Sequence, residues 1–444
     1  MTTRSPPPMD LLRAGSQVLG DGDRDYDALL SMVGDRAFVL LGEASHGTHE
    51  FYAMRAAITR RLIAEQGFDA VAVEADWPDA LRLDHYVHGS DDDALDEAFA
   101  DFQRFPTWMW RNHDVRAFVA WLRAHNASRP LTARVGFYGL DLYSLYRSAE
   151  AVIAYLEDVD PDQAAVARRV YACLDHVREP QEYAYEAAHG LRPSCRDGAT
   201  RLLTDLLRSG PAYVTDDGRG ARDAQFFAER NAHVVRNAER YYRETFGGRV
   251  HTWNLRDTHM VETLLALRAH LRREGRRGRI VVWAHNSHLG DARATEMGRH
   301  GEWNVGQLVR EQAGDAQALL VGFTTYTGHV TAARDWDAPA ERRWVRPAHP
   351  DSVEHLFRRS GRDRFFLPLR GALREALSIP MLERAIGVVY RPETELASHY
   401  FEASLGAQFD AVFHLDETTA VEPFDVTAHW QHHEEVPETW PSGL

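Results

Sequence analysis

The chain contains no lysine, so all 51 of its basic side chains are arginine. This absence excludes enzymes that need a lysine for a Schiff base, a pyridoxal-phosphate anchor or a Walker A phosphate site. The 66 acidic side chains outnumber the basic ones and give a formal charge of −15. This negative balance disfavours a nucleic-acid-binding protein, and we interpret the arginine-rich segment 272–279 as a solvated helix end.

Cysteine is equally scarce, since Cys173 and Cys195 are the only two in 444 residues. A disulfide framework and a structural cysteine cage are therefore excluded, and at most one bridge can form. Long hydrophobic runs are also missing: no segment reaches the roughly 18 apolar residues of a membrane span, and the N-terminal residues lack the apolar core of a signal peptide. We therefore predict a cytoplasmic protein, for which a reducing environment is the default.

Short apolar runs that end in small or polar residues recur along the chain and predict buried strands. Helical segments such as 50–66 and 257–273 separate most of these runs, and this alternation is typical of a parallel sheet covered on both faces. We therefore predict an α/β fold with a central, mainly parallel sheet flanked by helices. The predicted strands are 37–42, 70–74, 135–141, 280–285, 318–324, 365–367, 386–390 and 411–416.

The middle of the chain has a different pattern, because strand-like runs disappear between about residue 143 and residue 249 and helical spacing takes over. We predict that residues 146–249 form an inserted helical subdomain. Residues 1–145 and 250–430 are then predicted to form one discontinuous α/β catalytic domain. The polar residues 431–444 are predicted to be a tail.

Titratable side chains gather where the predicted strands end. Glu43 and His46 follow the first strand, Glu74 ends the second, and His285 and His288 follow the fourth. Ligands of open parallel sheets bind at the carboxyl ends of the strands, so we expect these residues to meet in one cleft. Each residue alone has a structural explanation, such as helix capping, but the set favours a functional site because buried charges are costly unless paired.

Signatures of a covalent nucleophile are missing, since the chain has neither a G-x-S-x-G elbow nor an S-x-x-K motif. A histidine beside a carboxylate can instead deprotonate water, because its pKa of about 6.5 suits a general base at neutral pH. The competing interpretation is a metal site, in which His285, His288, His46 and a glutamate bind Zn²⁺ or a related ion. No H-E-x-x-H motif supports that alternative.

The segment LGEASHGTHE at residues 41–50 contains a G-E-x-x-H-G element that resembles the erythromycin esterase family. Further segments resemble other blocks of that family, and the resemblance runs from about residue 20 to about residue 425. The blocks at 108–112 and 253–257 look like those of its broad, mostly uncharacterised branch rather than its antibiotic-resistance members. The further segments are EADW (74–77), FPTWMWRN (105–112), GLDLYSL (139–145), WNLRDTHM (253–260), WAHNSH (283–288) and FDAVFH (409–414).

The resemblance implies a carboxylic-ester hydrolase that opens an ester or macrolactone with water, without a cofactor or a covalent intermediate. It implies that His46 is the general base and Glu43 its carboxylate partner. It also implies that Arg55 is one of the polar residues around this pair, and because an arginine can hold a carboxylate through two hydrogen bonds, Arg55 is expected to orient Glu43 or Glu74. The predicted catalytic residues are His46, Glu43, His285, Glu74 and Arg55, and the predicted substrate-binding residues are His288, Trp77, Trp110 and Asp141.

The predicted partner is a small-molecule ester or lactone, with no nucleic acid and no membrane. Histidines 285 and 288 are expected to bind the substrate carbonyl or the oxyanion that forms from it. Two alternatives remain open: a metal-dependent hydrolase that uses the same His/Glu cluster, and a non-hydrolytic biosynthetic or binding protein for a polyketide-like or saccharide ligand. The first alternative predicts stoichiometric metal in the purified protein. The second predicts that a ligand binds without forming a water-added product.

Overall fold

A computed structural model describes residues 9–20, 22–90, 93–174, 180–188, 194–214 and 219–431. The predicted tail therefore lies outside the described residues, apart from its first position. Within these ranges the predicted α/β fold is confirmed, because a mainly parallel sheet lies between layers of helices. The strands are β1 Gln17–Val18, β2 Phe38–Leu41, β3 Ala70–Asp76, β4 Gly136–Asp141, β5 Ile280–Trp283, β6 Ala318–Ala332, β7 Glu341–Val345, β8 Arg364–Pro368, β9 Met381–Arg384, β10 Tyr400–Ala403 and β11 Ala411–Thr418.

The central sheet has the order β1-β8-β11-β6-β2-β5-β3-β4, with β7 paired to the far end of β6. Strands β11, β6, β2, β5, β3 and β4 run parallel, whereas β1, β7 and β8 are antiparallel additions. Every residue of β2, β3 and β5 is buried, as expected for parallel strands covered on both faces. The carboxyl ends of these strands therefore lie together at one edge of the sheet.

Helices cover both faces of the sheet and also fill the long connection from β4 to β5. Asn112 and Asp160 cap two of them through side-chain hydrogen bonds to backbone N–H groups, and Gly67 ends another with a left-handed backbone. Outside the β4–β5 connection the helices are α1 Met9–Gly15, α2 Asp27–Val33, α3 His49–Gln66, α4 Trp77–His88, α5 His113–Ala127, α12 Asn286–Leu289, α13 Glu296–Arg299, α14 Val305–Ala313, α15 Val353–Arg358, α16 Gly371–Ala376, α17 Glu395–Ser398, α18 Leu405–Gln408 and α19 Ala428–Gln431.

The connection from β4 to β5 contains helices and no strand in the part of it that the structure describes. A disulfide between Cys173 and Cys195, with Cα atoms 5.8 Å apart, joins two of these helical segments. Each of these helices is either too short or too polar to cross a membrane, and the same holds for the other described helices. The helices of this connection are α6 Leu145–Val159, α7 Pro161–Tyr171, α8 Pro180–Ala188, α9 Arg196–Tyr213, α10 Arg219–Glu244 and α11 Arg249–Arg273.

The structure corrects the predicted strand at 386–390, where the backbone makes only isolated bridges, Ser45 with Ile386 and Ala333 with Val389. Two strands that the sequence analysis did not predict, β9 and β10, pair with each other nearby. They lack an apolar run because β9 carries Glu383 and Arg384, which are nevertheless fully buried. Strand β6 also continues beyond its predicted end, since its polar second half pairs with β7.

Candidate active site

A cavity of about 770 Å³ opens at the carboxyl-terminal edge of β2, β3, β4 and β5. The loops that leave these four strands, together with the first turns of α11, supply its polar wall. Because the strands are parallel and in register, residues far apart in the sequence arrive at the same place. Of the predicted site residues, His46, Glu74, Asp141, His285, His288 and Trp110 line this cavity.

The loop after β2 places His46 against Glu43. The imidazole Nδ1 of His46 lies 2.9 Å from Glu43 Oε1, which leaves Nε2 of the ring for the cavity. The loop can adopt this path because Gly42 and Gly47 lie against other segments. A Cβ atom on Gly42 would lie 2.1 Å from Asn286 Oδ1, and one on Gly47 would lie 1.8 Å from the carbonyl oxygen of Thr331.

Arg55, on α3, lies on the far side of Glu43 from His46. Its guanidinium donates to Glu43 Oε2 at 2.5 Å, and the side chain is completely buried. The charged group also lies over two aromatic rings, 4.6 Å from the centre of Tyr52 and 5.2 Å from that of Trp283. The arrangement His46–Glu43–Arg55 is thus a linear chain of charge-assisted hydrogen bonds that begins at the cavity wall.

Glu74 connects the remaining polar residues. Its Oε2 accepts the backbone N–H of His285 at 2.9 Å, and its Oε1 accepts from Arg256 at 2.8 Å and lies 3.3 Å from Nε2 of His288. Burial alone would raise the pKa of Glu74, but His288, His46 and Arg256 outweigh burial and hold that pKa well below its usual range. Glu74 therefore remains a carboxylate although it is buried.

His288 is engaged at both ring nitrogens. Its Nδ1 lies 2.9 Å from Asp257, and the indole of Trp253 stacks on its ring with centres 4.5 Å apart and planes within 5°. Burial alone would lower the pKa of His288, but the carboxylates of Asp257 and Glu74 raise it to about 9. At neutral pH His288 is consequently an imidazolium that lies between two buried carboxyl groups.

His285 has the opposite electrostatic environment, with its ring centre 4.9 Å from that of His46. Burial and the neighbouring His46 lower the pKa of His285 to about 3, so it is neutral. Its Nδ1 accepts the backbone N–H of Ser287 at 3.2 Å, and an accepting ring nitrogen carries no proton. The proton of neutral His285 is therefore on Nε2, a buried atom that makes no hydrogen bond of normal geometry within the protein, although the backbone of Ala44 interacts with the ring.

The sequence model of the erythromycin esterase family matches residues 63–418 of this chain. The chain belongs to the erythromycin esterase family. An erythromycin esterase type II from Escherichia coli is 22% identical over 430 residues, which cover 90% of this chain and 94% of the relative. This family assignment identifies the chain as a carboxylic-ester hydrolase.

Three solved structures share the fold of this erythromycin esterase family member at low sequence identity. A Bacillus cereus protein has a TM-score of 0.77 at 20% identity and covers 94% of this chain and 98% of its own. A succinoglycan biosynthesis protein has a TM-score of 0.74 at 20% identity and covers 93% of this chain and 97% of its own. A mutant of the erythromycin esterase EreC in its open conformation has a TM-score of 0.64 at 16% identity. It covers 88% of this chain and 93% of its own.

Within this esterase the predicted substrate-binding residues have separate environments. Trp110 lines the cavity and donates its indole N–H to the carbonyl oxygen of Glu74 at 3.2 Å. Asp141 reaches the cavity wall but is held by Arg256 at 2.6 Å. Trp77 needs a correction: it lies in the hydrophobic core, stacked with Tyr138 at 6.0 Å, and does not line the cavity, because the start of α4 packs against α10.

The sequence analysis did not assign a role to three residues that organise the esterase site, namely Arg256, Asp257 and Trp253. All three belong to the segment WNLRDTHM, whose only signal was its resemblance to a family block. An arginine and an aspartate inside a helix normally suggest a solvated face, so the residues themselves gave no reason to place them at a cavity. Here Asp257 is fully buried, and Arg256 binds Glu74 and Asp141 together.

The described residues of the esterase site do not suit a metal ion. No three histidine, cysteine, aspartate or glutamate side chains among them are arranged to hold one. Two of the side chains that the metal hypothesis requires are also occupied, since Arg256 binds Glu74 and the two nitrogens of His288 face Asp257 and Glu74. His285 offers a ring N–H rather than a free electron pair.

Proposed function

We propose that the chain hydrolyses a macrolactone or a comparably large carboxylic ester by direct attack of a water molecule that His46 deprotonates. The observation that carries this proposal is the juxtaposition of two different histidines at the cavity wall, with ring centres 4.9 Å apart. His46 is backed by a carboxylate and is suited to accept a proton, whereas His285 holds a ring N–H that makes no hydrogen bond of normal geometry within the protein. General-base catalysis of ester hydrolysis needs both kinds of group.

In the first step the Nε2 atom of His46 accepts a proton from water as the water oxygen bonds to the carbonyl carbon. Glu43 stabilises the imidazolium that forms, because its carboxylate lies at Nδ1, and Arg55 holds Glu43 in place. The Nε2–H of His285 donates to the oxygen on which negative charge develops. A buried donor that makes no strong hydrogen bond of its own is preorganised for this role.

In the second step the bond from the carbonyl carbon to the ester oxygen breaks. His46 returns its proton to the departing alkoxide, which leaves as an alcohol, and the carboxylic acid product loses its own proton to solvent. The water oxygen thus remains in the carboxylate. No atom of the protein bonds to the substrate, which agrees with the lack of a recognisable nucleophile motif in the sequence.

The substrate class rests on similarity and on the size of the cavity. The curated relative from Escherichia coli is described as an erythromycin esterase, and one similar solved structure is a mutant of an erythromycin esterase. A cavity of about 770 Å³ exceeds what a small acetate ester needs. We therefore propose a macrolide or a similar macrolactone as the substrate, in agreement with the expected small-molecule partner.

The test is hydrolysis of a panel of macrolactones and simple esters in ¹⁸O-labelled water, followed by mass spectrometry. We expect the wild-type protein to form a water-added product with the label in the carboxylate. His46→Ala should lower kcat by roughly 10²- to 10⁴-fold, because the general base is lost. His49→Ala is the matched control, since His49 lies three positions later with a side chain that is 47% exposed, and its activity should be unchanged.

Three other results would each contradict the proposal in a different way. Full activity of His46→Ala would reject His46 as the base. Loss of activity with a chelator, restored by adding metal, would favour the metal-dependent alternative. Stoichiometric binding of a macrolactone without any labelled product would favour the non-hydrolytic binding protein.

A further inference from the structure

Trp336 is the most exposed large hydrophobic side chain of the described residues, with 62% of its surface accessible. It lies in the connection between β6 and β7 and lines the same cavity as His46 and His285. A single exposed apolar side chain is common on protein surfaces and needs no explanation by itself, so the informative observation is that this indole lines the cavity. A tryptophan exposed at the mouth of a catalytic cavity therefore points to contact with a ligand.

The backbone that carries this indole is firmly held. Arg391 donates from Nε to the carbonyl oxygen of Arg334 at 3.0 Å and also forms an ion pair with Asp335. The backbone N–H of Ala333 donates to the carbonyl oxygen of Val388 at 2.9 Å. The turn around Trp336 is thus fixed to the segment that follows β9, which itself lines the cavity, and the exposure of the indole is built into the fold.

A second aromatic ring, Phe105, faces Trp336 from an unrelated part of the chain. The two ring centres are 5.0 Å apart, and their planes are inclined by 63°. In such an edge-to-face pair the face of one ring meets only the edge of the other, so apolar ring surface remains uncovered. Phe105 also lines the cavity, which means that both rings belong to the path from solvent to the reacting centre.

The cavity therefore changes character along its length. The buried part of its lining includes His46, Glu74, His285 and His288, whereas Trp336 is exposed and Phe105 is half-buried, so the two aromatic rings lie toward solvent. An ester whose reactive carbonyl lies beside His285 must send its remaining atoms toward this mouth if it is large. A small ester would end before reaching the rings. The chemistry that suits the rings is an extended apolar face, such as that of a large lactone ring.

We propose that Trp336 and Phe105 form an aromatic subsite that binds the apolar face of a bulky ester or lactone and thereby selects large substrates over small ones. This inference rests on the proposed function, because it assumes that hydrolysis occurs at His46. The two rings determine specificity through binding and take no part in the chemical step. Their contribution should consequently appear in KM for a large substrate.

The experiment compares the steady-state kinetics of wild type, Trp336→Ala and Trp336→Phe with two substrates, a macrolactone and p-nitrophenyl acetate. We expect Trp336→Ala to raise KM for the macrolactone about tenfold, with kcat unchanged, and to leave both constants for the small ester unaltered. Trp336→Phe should recover most of the affinity, because an aromatic face is restored. Leu207→Ala, which removes a side chain that is 45% exposed on α9 far from the cavity lining, is the control.

An equal effect of Trp336→Ala on both substrates, or no effect on the macrolactone, would overturn the aromatic subsite while leaving the proposed function intact. Failure of the wild-type protein to hydrolyse any ester would instead reject the proposed function. In that event the subsite remains testable by titrating the macrolactone into wild type and Trp336→Phe and following tryptophan fluorescence. Fluorescence changes of equal size in the two proteins would reject contact between Trp336 and the ligand.

Discussion

Arg55 shows why some residues of this site cannot be identified from their spacing in the sequence. On α3 it has the spacing of a surface arginine, yet its side chain is completely buried and binds Glu43. Two of its nitrogens, Nε and Nη1, make no hydrogen bond of normal geometry, and its guanidinium lies over the ring of Tyr52. Only the family resemblance pointed to Arg55, because no periodic pattern distinguishes an arginine that pairs with a buried carboxylate from one in water.

Other residues of the site could be predicted from the chain itself. Glu43, His46, Glu74, His285 and His288 all follow or end short apolar runs, and parallel strands bring such positions together. The position of each residue was therefore predictable. The roles could not be predicted, because the opposite charge states of His285 and His288 depend on contacts with α11 and α12 that the sequence does not reveal. These roles stay a prediction.

Replacement of His285 tests its assignment as the oxyanion donor. His285→Leu removes the Nε2–H while keeping a side chain of similar size, and we expect kcat to fall by about 10²- to 10³-fold with a much smaller change in KM. Steady-state kinetics with the best ester substrate provide the measurement. A rise in KM alone would show that His285 binds the ground state only.

Glu383 shows how an element away from the cavity supports the catalytic loop. This carboxyl group, on β9, is fully buried and lies 3.4 Å from the side-chain amide of Asn286, the residue between His285 and Ser287. Burial and the neighbouring Glu354 raise the pKa of Glu383 to about 8. Strand β9 thus packs through a protonated acid against the loop that carries His285.

The protonated state of Glu383 predicts a pH dependence of folding. Its pKa is about 8 in the folded protein and near the ordinary value of 4.5 in the unfolded chain, so the folded state binds the extra proton between these values. The free energy of unfolding should then decrease as pH rises from about 5 to 8, by at most about 1.4 kcal/mol for each pH unit. Glu383→Gln keeps the group neutral and should remove this part of the decrease.

Urea unfolding of wild type and Glu383→Gln at pH 5 and pH 8 measures the effect. The exposed Glu417 on β11 provides the control, since Glu417→Gln should leave the pH dependence of wild type unchanged. If Glu383→Gln loses as much stability between the two pH values as wild type, Glu383 does not carry the proton.

Buried neutral histidines determine how the whole molecule responds to acid. Burial, as the largest cause, lowers the pKa of His233 to about 2 and that of His259 and His285 to about 3. In the unfolded chain these side chains take up protons near pH 6.5. The unfolded state therefore binds more protons than the folded state below that pH, and stability is lost as the pH falls.

We expect the thermal midpoint to decrease steadily between pH 6.5 and pH 4, as measured by calorimetry. His288 opposes this trend only just below pH 6.5, because it is charged in the folded protein over the whole interval and becomes charged in the unfolded chain as well once the pH falls below 6.5. His259 is one of these three histidines and lies between α10 and α11. His259→Gln removes its titration and should make the decrease shallower. A midpoint independent of pH in this interval would show that these histidines are charged in the folded protein.

At the scale of the whole chain the α/β architecture could be predicted, since β2 to β5 are read directly from buried apolar runs. The division into a discontinuous α/β domain and a helical insertion stays a prediction, as does the cytoplasmic location. The disulfide between Cys173 and Cys195 could be foreseen only as the single possible bridge. Partner choice between distant segments, as for β9 with β10, depends on buried polar contacts that leave no regular pattern.

The helical connection between β4 and β5 is not equally tied to catalysis along its length. Helix α11 is bound to the reacting centre through Arg256 and Asp257, whereas α7, α8 and α9 contribute no residue to the cavity among the described positions. Natural selection can therefore act on the two parts at different rates. Changes in the length of the outer helices should therefore leave the cavity intact, whereas a shift of α11 by a single turn would remove Arg256 and Asp257 from the site.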